Sequence, residues 1–388
     1  MDRTGDSAPQ TIAASHGVAT DKAFGAVTPP LYLSSTFAFE GYERPHAYDY
    51  GRTGNPTRAM LGEALARLEG GVGAVVTSSG MAAIDLVLSR LDVGALVLAP
   101  HDCYGGTLRL LNGRASKGQF RLRLVDQGNA DALGEALGEG PALVLVETPS
   151  NPLMRVVDIA RIAALVKAAG ARVAVDNTFL SPALQRPLTL GADYVIHSST
   201  KYLNGHSDVI GGAVIAADPA EVAALAAWAN TAGTTGSPFD SWLTLRGLRT
   251  LFPRIERQQH NAGLVAAFLE GRAEVAAVHY PGLASHAGHA IAARQQSGFG
   301  AMLSFDLAGG AAAVKRFVEG VAMFTLAESL GGVESLVAHP ATMTHADMGV
   351  EARRVAGIGD GLLRLSVGIE HEDDLLAGLE KGLKAAGV

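Results

Sequence analysis

The 388-residue sequence has a single cysteine, Cys103. An internal disulfide is thereby excluded, a reducing compartment is the simplest expectation, and the thiol is a free, possible reactant. Charge is also scarce. Charged residues make up 18% of the chain, and 31 basic against 38 acidic residues leave a net charge of −7 without any clustered Lys/Arg stripe. That balance argues against a nucleic-acid partner. There is no run of about 18 apolar residues that could span a bilayer, and the opening MDRTGDSAPQ lacks the basic region and apolar stretch of a secretory signal. The expectation is a cytoplasmic protein without a membrane partner. Internal repeats and low-complexity tracts are missing as well. What the chain does have is apolar residues, 48% of the total, which excludes disorder and suits a well-buried α/β protein of two or three domains.

Along the chain, strand and helix patterns alternate with short Gly/Pro punctuation. Residues 1–56 stand apart, because TPPLYLSSTF and YDYGRTGNPTR are too rich in Pro, Gly and Tyr for regular elements. They predict an extended arm of the kind that crosses to a neighbouring subunit. From Thr57 the pattern TRAMLGEALARLEGG predicts a helix stopped by Gly70 and Gly71, then a short strand AVVT, the turn SSG and a second helix MAAIDLVLSRL. The runs ALVLAP, FRLRLV, ALVLVE, ARVAVD and YVIH are continuously apolar, as strands of a sheet covered on both faces are. A mainly parallel central sheet follows. One long helical stretch, from Phe239 to Gly271, then leads to a smaller α/β segment that ends in LLRLSVGIE and the helix HEDDLLAGLEKGLKAA. The domains read from this are 1–56, 57–250 and 251–388.

Four features converge on the strand ends, where open α/β sheets bind their ligands. The turn SSGMAA offers backbone N–H groups at a helix start, an anion site suited to a phosphate. It lacks both the spaced glycines of a dinucleotide fingerprint and the Gly-Lys-Ser/Thr of a Walker loop. Asp176 closes the strand VAVD; alone it reads as readily as a helix cap or half of an ion pair. Lys201 lies one strand later, with Ser198 and Thr200 beside it. Tyr104 in DCYGGT follows the strand ALVLAP, where its ring could cover a flat ligand, although an isolated Tyr there is more often core or rim. One ligand makes sense of all four: a planar phosphorylated aldehyde whose ring nitrogen wants a carboxylate and whose carbonyl wants a lysine. That is pyridoxal 5'-phosphate.

The stretches YGRTGNPTR, SSGMAA, PHDCYGGT, ETPSNPL, VDNTFLSPALQ, HSSTKYLNGHSD, FTLAESLGGVESL and MTHADMGVEARRVAGIGDGLLRLSVGIE carry a resemblance over nearly the whole length. The chain resembles the transsulfuration family of fold-type I pyridoxal-phosphate-dependent transferases. The resemblance implies an α/β fold with a mainly parallel central sheet between helices, the N-terminal arm and a smaller C-terminal α/β domain. It implies Lys201 as the Schiff-base lysine and proton shuttle, Asp176 on the ring nitrogen, Tyr104 over the ring and Gly80, Met81, Ser198 and Thr200 on the phosphate. It adds Asn151 near the cofactor hydroxyl, Thr178 near the ring, and Tyr50 and Arg52 of the arm on the phosphate of the neighbouring subunit's cofactor. A homotetramer built as a dimer of dimers follows, with active sites shared between two chains.

Substrate recognition falls to Arg364, at the end of the strand LLRLSV, as a clamp for an amino-acid α-carboxylate, assisted by Ser329. Glu328 in AES resembles the γ-specific members of the family, whereas β-lyases carry an aromatic residue there. Asp49 and Arg109 stand at positions the family uses around the distal end of the substrate. Thr53 is a departure, since succinyl-using relatives would carry arginine at that place, and it leaves the acyl group open. The implied reaction is a γ-replacement in methionine biosynthesis, joining O-succinyl- or O-acetyl-L-homoserine with L-cysteine to give L-cystathionine. The alternative is γ-elimination of L-cystathionine to L-cysteine, 2-oxobutanoate and ammonia. A metal reading of His279, His286, His289, His339 and His345 is rejected, because no Cys or carboxylate completes a ligand set at zinc spacing. The SNP turn before Pro152 is a candidate for a cis bond, against the trans default.

Overall fold

A computed structural model describes residues 7–346 and 348–388. Its strands in chain order are β1 (Phe39–Gly41), β2 (Arg44–Pro45), β3 (Gly73–Thr77), β4 (Leu96–Pro100), β5 (Arg121–Val125), β6 (Leu143–Glu147) and β7 (Arg172–Asp176). They continue as β8 (Tyr194–His197), β9 (Gly212–Ala216), β10 (Val275–His279), β11 (Met302–Leu307), β12 (Thr325–Leu326), β13 (Leu336–Ala338) and β14 (Leu362–Ser366). The helices named below are α1 (Pro9–Ser15), α2 (Pro56–Glu69), α3 (Gly80–Leu88) and α4 (Gly105–Ala115). The chain divides into two units, residues 1–91 with 174–252, and residues 92–173 with 253–388.

In the first unit the strand order is β3-β9-β8-β7. The β7–β8 ladder is parallel, and the ladders of β9 with β8 and with β3 are antiparallel. Helix α2 begins where the Asn55 side chain accepts from the N–H groups of Thr57 and Arg58, with Pro56 in the first turn. It ends at Gly70, which takes φ 78°, a left-handed conformation that glycine reaches without a Cβ penalty. The 1–56 stretch has more regular structure than its composition suggests. Pro9 starts the short helix α1, a place where its missing N–H costs nothing, and β1 and β2 pair antiparallel around a turn in which Glu43 takes φ 56°. Most of the stretch is nonetheless exposed, Tyr42 to 90%.

In the second unit β4 pairs parallel with both β5 and β6, so the strands that read as continuously apolar are mainly parallel. A second sheet of order β10-β11-β14-β13-β12 is antiparallel apart from the β12–β13 pair. Strand β14 is buried throughout. Phe305 of β11 meets Phe317 edge-on at 5.5 Å, a favoured aromatic arrangement. The stretch expected as one long helix is two, Pro238–Leu248 and Leu251–Glu270. Pro253 lies in the first turn of the second, the one place in a helix where proline fits, so a new start there is favoured over continuation. Among the described residues no helix is long and apolar enough to cross a membrane.

Candidate active site

The first unit places the residues expected to meet a cofactor at the ends of β3, β7 and β8, beside the start of β9. Ser79 caps α3, its side chain accepting from the Ala82 N–H at 3.1 Å. The first N–H groups of α3, those of Gly80 and Met81, thus stand at a dipole end suited to phosphate. Any side chain there would force Ser198 to shift, because a Cβ on Gly80 would lie 2.7 Å from Ser198 Cβ. A Cβ on Gly212 of β9 would lie 2.2 Å from the Ser79 carbonyl oxygen. Backbone therefore packs on backbone around the anion site.

Asp176 ends β7 half-buried and accepts from the Thr178 N–H at 2.9 Å. The Thr178 hydroxyl oxygen accepts from the Ser198 N–H at 2.9 Å, which ties the two strand ends together. Burial holds the Asp176 carboxyl above the usual carboxylate range, and the Thr178 hydrogen bonds and the charge of His197 pull it back down. A carboxylate in that position stays ionised most easily when a protonated nitrogen meets it. Lys201 follows one turn after Ser198, its N–H bonded to the Ser198 carbonyl at 3.2 Å, and it is half-buried. Thr200 bonds both ways with Gly211: its hydroxyl donates to the Gly211 carbonyl at 3.3 Å and accepts from the Gly211 N–H at 3.0 Å. The residues present fit pyridoxal phosphate: a glycine-built anion cradle, a half-buried acid and a lysine on one set of strand ends.

The arm residues of this unit keep together. Arg52 lies over the Tyr50 ring, 5.6 Å from its centre, and donates to the Asn230 carbonyl at 2.6 Å. Asp49, Tyr50 and Arg52 are exposed.

The second unit holds the residues expected to meet substrate. Arg364, 3% exposed in the middle of β14, donates through Nη1 to Asn151 Oδ1 and through Nη2 to the Ser329 carbonyl, both at 2.9 Å. Ser329 meets Arg364 through its backbone, and its φ of 87° is a strained conformation for a residue with a Cβ. Asn151 lies in a turn whose Asn151–Pro152 bond is cis, as is Thr148–Pro149. Tyr104, 40% exposed, precedes α4. Arg109 and Glu328 are exposed.

Two residues here escaped sequence reasoning. Glu147 ends β6, and its two carboxylate oxygens accept from the N–H groups of Tyr104 at 2.9 Å and Asn151 at 3.0 Å. It braces both loops at once. Its signal was available, since a carboxylate closing an apolar strand is the same mark that singled out Asp176. His345, 1% exposed, is pushed down to about 4 by burial and then by the Arg364 charge. Its ring lies 2.9 Å from the adjacent Thr344 hydroxyl, but the Arg364 that acts on it is remote in sequence, and the histidine pattern around it suggests only the rejected metal reading. Among the described residues no group of three or more His, Cys, Asp or Glu is placed to hold a metal.

Comparison with known proteins adds an independent line. Residues 10–384 match the family described as Cys/Met metabolism PLP-dependent enzyme. Cystathionine γ-synthase of Escherichia coli is 58% identical over 97% of this chain and 98% of its own. Cystathionine β-lyase of Lactococcus lactis is 48% identical, over 95% of this chain and 97% of its own. Among solved structures, cystathionine γ-synthase from Xanthomonas oryzae in complex with cystathionine superposes with a TM-score of 0.97 at 58% identity, covering 98% of each chain.

Proposed function

Because this chain belongs to the Cys/Met metabolism family of PLP-dependent enzymes, with pyridoxal 5'-phosphate as its cofactor and a fold-type I architecture, we propose that it is a cystathionine γ-synthase. The reaction is γ-replacement: L-cysteine displaces the acyl group of an O-acyl-L-homoserine to give L-cystathionine. The observation that carries this reading is the likeness, along nearly the entire chain, to a γ-synthase solved with cystathionine.

When bound, pyridoxal phosphate supplies an electron sink that lets protons leave carbons near the substrate nitrogen. The N–H groups of Gly80 and Met81, with Ser198 and Thr200, would hold its phosphate; Asp176 would meet its ring nitrogen, with Thr178 near the ring and Tyr104 over its face. Lys201 would hold it covalently, and its amine, once released, would serve as the base. The Lys201 amine would take the α proton, deliver it to the cofactor, and only then take a β proton, so that the γ acyloxy group departs with its bonding electrons. The cysteine thiolate adds at the γ carbon, and Lys201 returns the protons. Arg364 holds the α-carboxylate by two parallel hydrogen bonds, oriented by Asn151 and Ser329. Glu328, Arg109 and Asp49 surround the distal end of the substrate, Arg109 offering a cation to an acyl or cysteine carboxylate.

The assembly proposed is a homotetramer in which the 1–56 arm carries Tyr50 and Arg52 to a neighbour's cofactor. The exposure of those side chains supports it. Domain limits of 57–250 for cofactor binding and 251–388 for the carboxylate remain the working division, and the cytoplasm the working location.

Purified protein with cofactor, L-cysteine and either O-succinyl- or O-acetyl-L-homoserine should form cystathionine, and the preferred donor identifies the acyl group. Release of 2-oxobutanoate from cystathionine alone, faster than its synthesis, would replace this reading with γ-lyase. Pyruvate in its place would indicate β-elimination.

A further inference from the structure

The first unit contains a buried charged cluster that neither binding nor catalysis has used. Glu69 is the last residue of α2 and His197 the last of β8, and both are fully buried. One Glu69 oxygen lies 2.6 Å from His197 Nε2 and accepts from Asn177 Nδ2 at 2.8 Å. Asn177 is fixed in turn by Gln185, donating to its carbonyl at 2.8 Å and accepting from its side-chain amide at 3.1 Å.

A carboxylate at this place is costly twice over. It sits at the negative end of the α2 dipole, and it is out of water. Apolar side chains of similar volume would fill such a position without loss of stability, so a purpose other than stability is indicated. The cluster brackets Asp176. Asn177 follows Asp176 directly, and in the β7–β8 register Asp176 faces Ile196, the residue before His197. Glu69 from α2 and Asp176 from β7 both reach His197, and a positive charge on His197 would favour the ionised form of Asp176.

We propose that Glu69 and His197 are positioning residues for the cofactor: Glu69 holds His197 as an imidazolium, and that cation keeps Asp176 a carboxylate, ready for a protonated ring nitrogen. The inference rests on the assignment of Asp176 to that nitrogen. A neutral ring with its hydrogen on Nε2 would make the same contact with Glu69, so protonation is what the experiment reads.

The cofactor-free protein, labelled with 15N-histidine, gives that state by NMR, the His197 signals being assigned by their loss in His197→Asn. At about pH 8, well above the ordinary histidine range, both ring nitrogens should carry imidazolium shifts in the wild type and neutral shifts in Glu69→Gln. The same variant should bind pyridoxal phosphate at least about tenfold more weakly, with its visible absorbance titrating at a different pH. A neutral His197 in the wild type overturns the proposal whether or not the variant folds, and so does unchanged cofactor affinity in Glu69→Gln. Asp176→Asn separates the underlying assignment. If that variant holds the cofactor as tightly as wild type, the reading of Asp176 fails, while the histidine spectra still report on the Glu69–His197 pair.

Discussion

The two sets of site residues are built differently. Around the anion cradle, backbone meets backbone: Gly80 against Ser198, and Gly212 against Ser79, leave no room for a methyl group. Around Arg364, side chains do the holding: the Asn151 amide takes one arm of the guanidinium, the other reaches the Ser329 carbonyl, and the Glu147 carboxylate holds the turns that carry Asn151 and Tyr104. The first set is fixed by main-chain stereochemistry and suits a cofactor that is the same at every turnover. The second rests on side chains, which single changes can alter.

The largest effect that would test this contrast is expected at Lys201. In Lys201→Ala turnover should fall by about ten-thousandfold or more, measured by steady-state kinetics, with the cofactor still bound through its phosphate and ring nitrogen. Arg364→Ala should lower kcat/KM by about a thousandfold, since two charge-assisted hydrogen bonds of roughly 1.5–3 kcal/mol each are lost. Its cofactor dissociation constant should stay as in wild type, and loosened cofactor would erase the distinction between the two sets. His345 offers a measurement on the second set alone. Its folded value of about 4 lies below the ordinary histidine range, so the unfolded chain binds a proton that the native state refuses. The stability this confers is present above about pH 6.5 and is lost as pH falls toward 4, a loss on the order of 3 kcal/mol. Denaturant titrations of wild type and His345→Asn across that range should differ by this amount. Gly80→Ala should give the smallest effect, about a tenfold rise in the cofactor dissociation constant without a change in the amino-acid KM, because Ser198 must shift to admit the methyl group. An equal loss in both constants would show that the two sets are not independent.

The first set was legible for a reason visible in its spacing. Its residues lie at the ends of apolar runs, so Gly80, Asp176 and Lys201 each follow a strand that periodicity already marks. Pairing direction was not legible: β9, GAVIA, looks like its neighbours yet runs antiparallel to β8 and β3. The division of Pro238–Glu270 into two helices turns on a proline that a helix tolerates in its first turn. In the second set, Arg364 stood out by family likeness alone, because what holds it is remote along the chain. Glu147 carried the right local mark and was passed over, and His345 carried none. Local pattern records where a strand ends, but not which distant side chain will meet it there.

Asn151 and Arg364 are 213 residues apart. During synthesis, the lysine, acid and glycine turn are all complete long before the guanidinium leaves the ribosome.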